Sequence, residues 1–255
     1  MNEPGKAPAS KSYMWVYKTG PFEGNPIVLY DYEVGRSGEF SKKFPTGFSG
    51  CLHCDGWAGY DKAENAKRCG YWTHLRRYFL NALDVQEDKT DYSTIAGQGL
   101  LMIQEIFALE KIDPKNPGEK RKYTLEETAE IREKNSADKV KEFFKFCEEN
   151  QGRTLPKSLT GRAIGYALNQ RVTLETFLKN PKIELTNNSA ERAIKPFVIG
   201  RKNWLFCNSE AGAQASSIIY SIIETAKVNN INPYDRLEQI FISIQQGVDT
   251  IKSLL

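Results

Sequence analysis

Leu52-His53-Cys54-Asp55-Gly56-Trp57-Ala58-Gly59-Tyr60 is the stretch on which the reading of this chain turns. A short apolar run ends in an acid, and a Gly-aromatic-Ala-Gly-aromatic turn follows it. A second stretch, Leu185-Thr186-Asn187-Asn188-Ser189-Ala190-Glu191-Arg192-Ala193-Ile194-Lys195-Pro196, sets an acid in the opening turn of a helix, among basic residues. An acid closing a strand beside glycine holds its oxygens where another backbone can approach. Both acids also have plain structural readings. Asp-Gly is a common turn pair. Glu191 stands three residues after Asn188, where a capping acid belongs, and four before Lys195, where an ion pair belongs.

Working outward, basic charge gathers around both acids. Residues 67–77 hold Lys67, Arg68, Arg76 and Arg77 with no acid, and residues 186–202 hold Arg192, Lys195, Arg201 and Lys202 against Glu191 alone. Residues 120–150 instead carry eight basic and eight acidic residues, the mixture of solvated helices. The net charge of +3 implies nothing about nucleic acid by itself, but its placement suits a phosphate-bearing substrate. With 255 residues, 40% of them apolar, the chain can bury a real core. Five cysteines, an odd number, give no disulfide framework. No apolar run approaches the roughly 18 residues of a spanning helix, so the chain reads as cytoplasmic and without a membrane partner.

The pattern of elements is a hairpin followed by a strand and then helices. Ser12–Lys18 and Pro26–Tyr32 are aromatic and β-branched around a Gly20-Pro21…Gly24-Asn25 turn. A short helix is expected over 38–48, a strand over 50–55, a helix over 61–67 and a brief strand over 69–72. From His74 to Leu83 the period becomes helical. Ile95, Met102, Ile106 and Leu109 fit one amphipathic helix. Thr124-Leu125-Glu126-Glu127 has capping-box spacing, and Val140, Phe143, Phe144 and Cys147 form an i, i+3, i+4, i+7 stripe. Leu159–Phe177 reads as a helix broken near Gly165. An extended Lys202–Cys207, a long helix over 211–228 and a last one from Pro233 complete the series.

The words around the acids, in their order along the chain, resemble those of the insertion sequence sixty-six family of bacterial DDE transposases. The resemblance includes Glu3-Pro4-Gly5-Lys6, Ser12-Tyr13-Met14-Trp15-Val16-Tyr17, Arg201-Lys202-Asn203-Trp204-Leu205-Phe206 and Ile222-Ile223-Glu224-Thr225-Ala226-Lys227. It implies an α/β fold: an incomplete ribonuclease-H-like core, its first, central strand absent, with a large helical insertion and predominantly helical overall. Residues 1–88 would be the first part of that core and 89–180 the insertion. Residues 181–230 would be the remainder, with the helix carrying Glu191, and 231–255 a terminal helix. By the matched words the hairpin is strands two and three, Asp55 ends strand four, and the first acid of the triad lies on the absent strand. The hairpin and strand four would each then present an unpaired row of backbone groups.

The family cuts and joins DNA with two divalent metals. Asp55 and Glu191 are by resemblance catalytic and metal-binding, with Mg²⁺ or Mn²⁺ as cofactor. His74, Arg76, Arg77, Arg192, Lys195, Arg201 and Lys202 are the candidate contacts to DNA at the element ends, directed at phosphates. With one acid missing, activity is expected to be lost. The alternative is a non-catalytic module that binds DNA or a full-length transposase, and a chain supplying the missing strand is a further partner. A purely structural protein would need neither acids nor basic patch. His74 falls where the family has Cys-Trp-x-His, here Tyr71-Trp72-Thr73-His74, and a helix-end structural role stands beside a phosphate contact. Cys51-Leu52-His53-Cys54 invites a zinc reading, but on a strand Cys51 and His53 face one way and Cys54 the other.

Overall fold

A computed structural model describes residues 12–35, 48–62, 65–110, 123–204, 207 and 209–247. The helix expected over 38–48 lies outside these, apart from Phe48, as do residues 1–11. The chain is mostly helical and divides into two compact units. One is contiguous, Ser41–Asn188; the other is discontinuous, Met1–Phe40 with Ser189–Leu255.

In the discontinuous unit, β1 (Tyr13–Lys18) and β2 (Val28–Glu33) form the expected antiparallel hairpin, pairing Lys18 with Val28 through to Tyr13 with Glu33. Three helices accompany it: α7 (Asn188–Trp204), α8 (Glu210–Val228) and α9 (Pro233–Gln245), numbered after those of the contiguous unit. The far edge of β2 is not bare. Thr225 of α8 accepts the N–H of Val28 at 3.0 Å and donates to its carbonyl at 3.0 Å. Ser221 accepts the N–H of Tyr30 at 2.8 Å. Gln214 and Asn229 donate to the carbonyls of Tyr32 and Pro26 at 3.2 and 2.8 Å. Polar side chains spaced seven, four and four residues apart along α8 and its C-cap thus meet every second residue of the strand, standing in for another strand. The unpaired row expected on the hairpin was that of β1, the other edge, so this helix does not bear on it.

Ser209 caps α8 by accepting the N–H of Gly212. The helix ends where Asn230 takes φ 59° and the Ile231 N–H reaches the carbonyl of Ala226 at 2.9 Å, after which Asn232 caps and Pro233 opens α9.

The contiguous unit begins with β3 (Gly50–Cys54) and β4 (Ala66–Gly70), paired in parallel from Gly50 with Ala66 to Cys54 with Gly70. Between them a 3₁₀ turn covers Ala58–Lys62, replacing the helix expected over 61–67; β4 is already under way at Ala66. Then follow α1 (Trp72–Asp84), α2 (Ile95–Leu109), α3 (Leu125–Ile131) and α4 (Ala137–Gln151), with a π-helical turn, Arg132–Ser136, joining the last two. The capping box at Thr124 and Glu127 is present in full. Next are α5 (Leu159–Asn169), α6 (Arg171–Leu174) and a 3₁₀ turn at Glu175–Lys179. The break expected near Gly165 falls instead at Gln170, whose carbonyl is taken by the Thr173 hydroxyl at 2.8 Å. Among the described residues each sheet has two strands.

The stripe Val140, Phe143, Phe144 and Cys147 is buried, against Trp72, Leu75, Phe79, Ile103 and Phe177. Trp72 is the hub: its ring meets Phe143, Phe144 and Phe177 at 5.5, 6.2 and 5.9 Å, and its indole N–H donates to the Leu174 carbonyl at 3.0 Å. Inside this apolar core sits an ion pair. Arg132 is 1% exposed and Glu110 2%. The guanidinium bonds both carboxylate oxygens of Glu110 and the carbonyls of Phe177, Asn180 and Ile183 at 2.5–2.8 Å, so all five of its N–H donors are used. Residues 120–150 are therefore not simply solvated helices.

His53 of β3 packs edge-on against Tyr71 at 5.0 Å. Burial, and then the charge of Arg132, lowers its pKa from 6.5 to about 4. The folded chain keeps His53 neutral while the unfolded chain takes up a proton near pH 6.5. Stability is therefore complete above about pH 6.5 and falls as pH drops toward 4, by up to about 1.4 kcal/mol per unit. Urea titrations between pH 7 and 4.5 are expected to show this fall and His53→Phe to flatten it; an equal fall in the variant would place the proton uptake elsewhere.

Candidate functional site

Asp55 follows the last residue of β3 and is half-buried. Its Oδ1 accepts the backbone N–H of Trp57 at 3.1 Å, an Asx-type turn. Three side chains from other elements hold the same turn. Arg68 of β4 donates to the Asp55 carbonyl at 3.1 Å and to Gln170 Oε1 at 3.4 Å, and pairs with Asp61. Tyr166 of α5 accepts the Gly56 N–H with its hydroxyl. A Cβ on Gly56 would meet the Tyr166 ring at 2.7 Å and Gln170 at 3.3 Å, and one on Gly59 would meet the Trp57 ring at 2.1 Å. The two glycines of the opening stretch are thus required by what lies on them: a tyrosine on one and a tryptophan on the other. Burial, then the charge of Tyr78 and Asp55, pushes the Tyr166 phenol up to about 12, so it stays protonated at neutral pH. Sequence reading missed Arg68 as a support and Tyr166 and Gln170 entirely. The separation of Tyr166 and Gln170 from Asp55, more than a hundred residues, left no local signal.

His74, Arg76 and Arg77 lie on α1, His74 and Arg76 half-buried and Arg77 exposed. His74 Nε2 is 3.4 Å from Asn187 Nδ2, and Asn187 Oδ1 accepts the Thr73 hydroxyl at 3.0 Å. The Thr73 N–H reaches the Leu185 carbonyl at 3.3 Å. The start of α1 and the Leu185-Thr186-Asn187 approach to α7 are therefore tied together, with His74 in the tie.

Glu191 stands in the first turn of α7, exposed. The turn is fastened on either side of it: Lys18 donates to Ser189 Oγ at 2.8 Å, and the Tyr30 hydroxyl donates to the Ala193 carbonyl. Burial, then Glu224, raises the pKa of Tyr30 and keeps it a donor. Pro196 removes one helical N–H, and Phe197 and Trp204 pack with Tyr220 at 5.4 and 6.0 Å. That packing carries the helix through Lys202–Trp204, where an extended segment was expected. Arg192, Lys195, Arg201 and Lys202 are all exposed, and no residue of α7 is fully buried. Asp55 belongs to the contiguous unit and Glu191 to the discontinuous one.

Among the described residues no three His, Cys, Asp or Glu side chains are grouped to hold a metal ion. The buried thiols of Cys54 and Cys69 are pushed up, chiefly by burial, to about 11 and about 12, which suits unreactive core cysteines. Among the described residues no helix is long and apolar enough to cross a membrane.

These features stand in a sequence that matches the family described as Transposase IS66 family over residues 1–215. The chain belongs to that family. It is similar to three uncharacterized proteins of Sinorhizobium fredii (strain NBRC 101917 / NGR234). It is 33% identical to y4qI over 96% of this chain and 46% of that one. It is 26% identical to y4hP over 94% and 45%, and 23% identical to y4jD over 99% and 50%. The chain thus spans about half the length of the curated relatives it matches. No solved structure matches.

Proposed function

We propose that this chain is part of a transposase catalytic domain with a ribonuclease-H-like core, in which Asp55 and Glu191 are two of three metal-binding acids. The observation that carries the reading is the held turn: Asp55 closes a strand, its carbonyl accepts from Arg68, and Tyr166 and Gln170 lie on Gly56 beside it, in a chain whose family match covers 1–215. A turn used only to reverse direction does not need side chains from β4 and from the end of α5 to orient it. Carboxylate oxygens suit Mg²⁺ or Mn²⁺, which would activate the attacking oxygen and steady the leaving one. The acids described do not make a complete metal site, so no chemical step is assigned here. DNA at the element ends is the proposed partner, with the full-length transposase or a chain that supplies a further strand.

By this reading the chain alone nicks element-end DNA little or not at all with Mn²⁺, since a site short of one acid holds the metal pair poorly. Incubation of the purified protein with labelled end DNA tests this; specific nicking abolished by Asp55→Ala would overturn the loss of activity.

One observation favours the second reading, a DNA-binding module that does not cut: the exposed basic residues of α7. Neutralising Arg201 and Lys202 together is expected to flatten the slope of log affinity against log salt by about two units, if each meets a phosphate. His74, Arg76, Arg77, Arg192 and Lys195 are proposed to act in the same way. An unchanged slope removes the end of α7 from the footprint.

A further inference from the structure

The contiguous unit holds a cleft of about 370 Å³, lined among others by Tyr78, Gln151, Arg162, Gly165, Tyr166 and Asn169. Its size falls in the range of small-ligand sites. Tyr78 and Tyr166 stack on each other with ring centroids 4.5 Å apart and planes at 21°, which sets an aromatic pair in the wall of the cleft. The carboxamides of Gln151 and Asn169 and the guanidinium of Arg162 line the same space, and none of the three side chains bonds to a described residue. No acid is among the lining residues. Gly165 lies within α5, where glycine costs about 0.5–1 kcal/mol relative to alanine, yet a Cβ there would find no atom within 4 Å. Neither turn geometry nor close packing explains this glycine. Keeping the cleft open does.

The wall, the amides and the lone cation are complementary to one kind of molecule. A π-face stacks on tyrosine, carboxamides pair with the edge of a base, and a guanidinium takes a phosphate. A simple anion would leave the aromatic wall unused, and an apolar ligand would bury the amides without partners. We infer that this cleft binds one unpaired nucleotide, its base against Tyr78 and Tyr166 and its phosphate at Arg162. Because the Tyr166 hydroxyl also takes the Gly56 N–H, the bound base lies against a residue that holds the Asp55 turn. The nucleotide is either free or the unpaired end of a DNA strand. Only the second source rests on the transposase reading.

The test uses the intact chain in EDTA, so that it does not depend on any metal chemistry. Two probes are titrated: 2-aminopurine deoxynucleoside monophosphate, and a hairpin duplex with 2-aminopurine in a single-stranded overhang. Stacking quenches both. Saturable quenching is expected, weakened about tenfold or more by Gly165→Leu, which fills the cleft. Arg162→Ala is expected to weaken binding severalfold and to lower the salt slope by about 0.7, one phosphate on a single strand. Gly165→Leu should melt no lower than the parent, since leucine outranks glycine inside a helix; if it does melt lower, Tyr78→Leu takes its place. Quenching of the overhang alone identifies a DNA strand as the ligand. Quenching of the monophosphate as well, at like affinity, identifies a free nucleotide and leaves the transposase reading unsupported by this cleft. No quenching of either probe, or quenching indifferent to the cleft-filling variant and Arg162→Ala, overturns the inference.

Discussion

Arg132→Ala is expected to destabilise the contiguous unit by about 3–5 kcal/mol, the range for breaking a buried pair on one side. The loss has two parts. Glu110, 2% exposed, is left as a buried carboxylate without its guanidinium, and the carbonyls of Phe177, Asn180 and Ile183 lose their donor together. Those carbonyls come from the segment that leads from the 3₁₀ turn after α6 toward α7, so the variant should loosen residues 177–183 first. Arg132→Lys should recover little, because a single ammonium has three donors where five are in use. Urea unfolding followed by the fluorescence of buried Trp72, with hydrogen exchange over 177–183, measures both effects. A loss below about 1 kcal/mol, or full rescue by lysine, would mean that the pair is not the organiser described.

Thr225→Val should cost about 2–4 kcal/mol in the discontinuous unit. The hydroxyl serves both the N–H and the carbonyl of Val28, a residue 1% exposed, and each group left unpaired costs about 1–3 kcal/mol. Thr225→Ser keeps the oxygen and should keep most of the stability. Exchange of the Val28 amide is the specific readout: it should quicken in the valine variant and not in the serine one. If Val28 stays equally protected in both, α8 does not serve as the neighbour of β2.

The two results bear on what can be read from a sequence. Local signals held: the Gly20…Asn25 turn gave the hairpin, Thr124 and Glu127 the capping box, and Val140, Phe143, Phe144 and Cys147 the buried face of α4. Signals that depend on distant partners did not. Arg132 lies in a run of alternating charge and looks solvated; only the fold shows that Glu110, 22 residues earlier, closes over it. Nothing local to Ser221 and Thr225 on α8 marks their use, because it appears only against β2, some two hundred residues away. Helix ends went astray for a like reason. Gly165 looked like a breaker, but the break sits at Gln170, where Thr173 captures the carbonyl, and Trp204 prolongs α7 by packing on Tyr220. Asp55 and Glu191 were singled out by the words around them. The residues that grip Asp55 were not, since Arg68 read only as charge and Tyr166 as helix.

The proposed role of Asp55 and Glu191 is to serve one divalent metal site. Its most direct measurement is the broadening of backbone amide resonances by substoichiometric Mn²⁺. Broadening is expected at Gly56 and Trp57 and, at the same metal concentration, at Ala190 and Glu191. Asp55→Asn or Glu191→Gln alone should abolish it at both places. Broadening confined to one segment, or unmoved at the second when the first acid is replaced, would contradict a shared site.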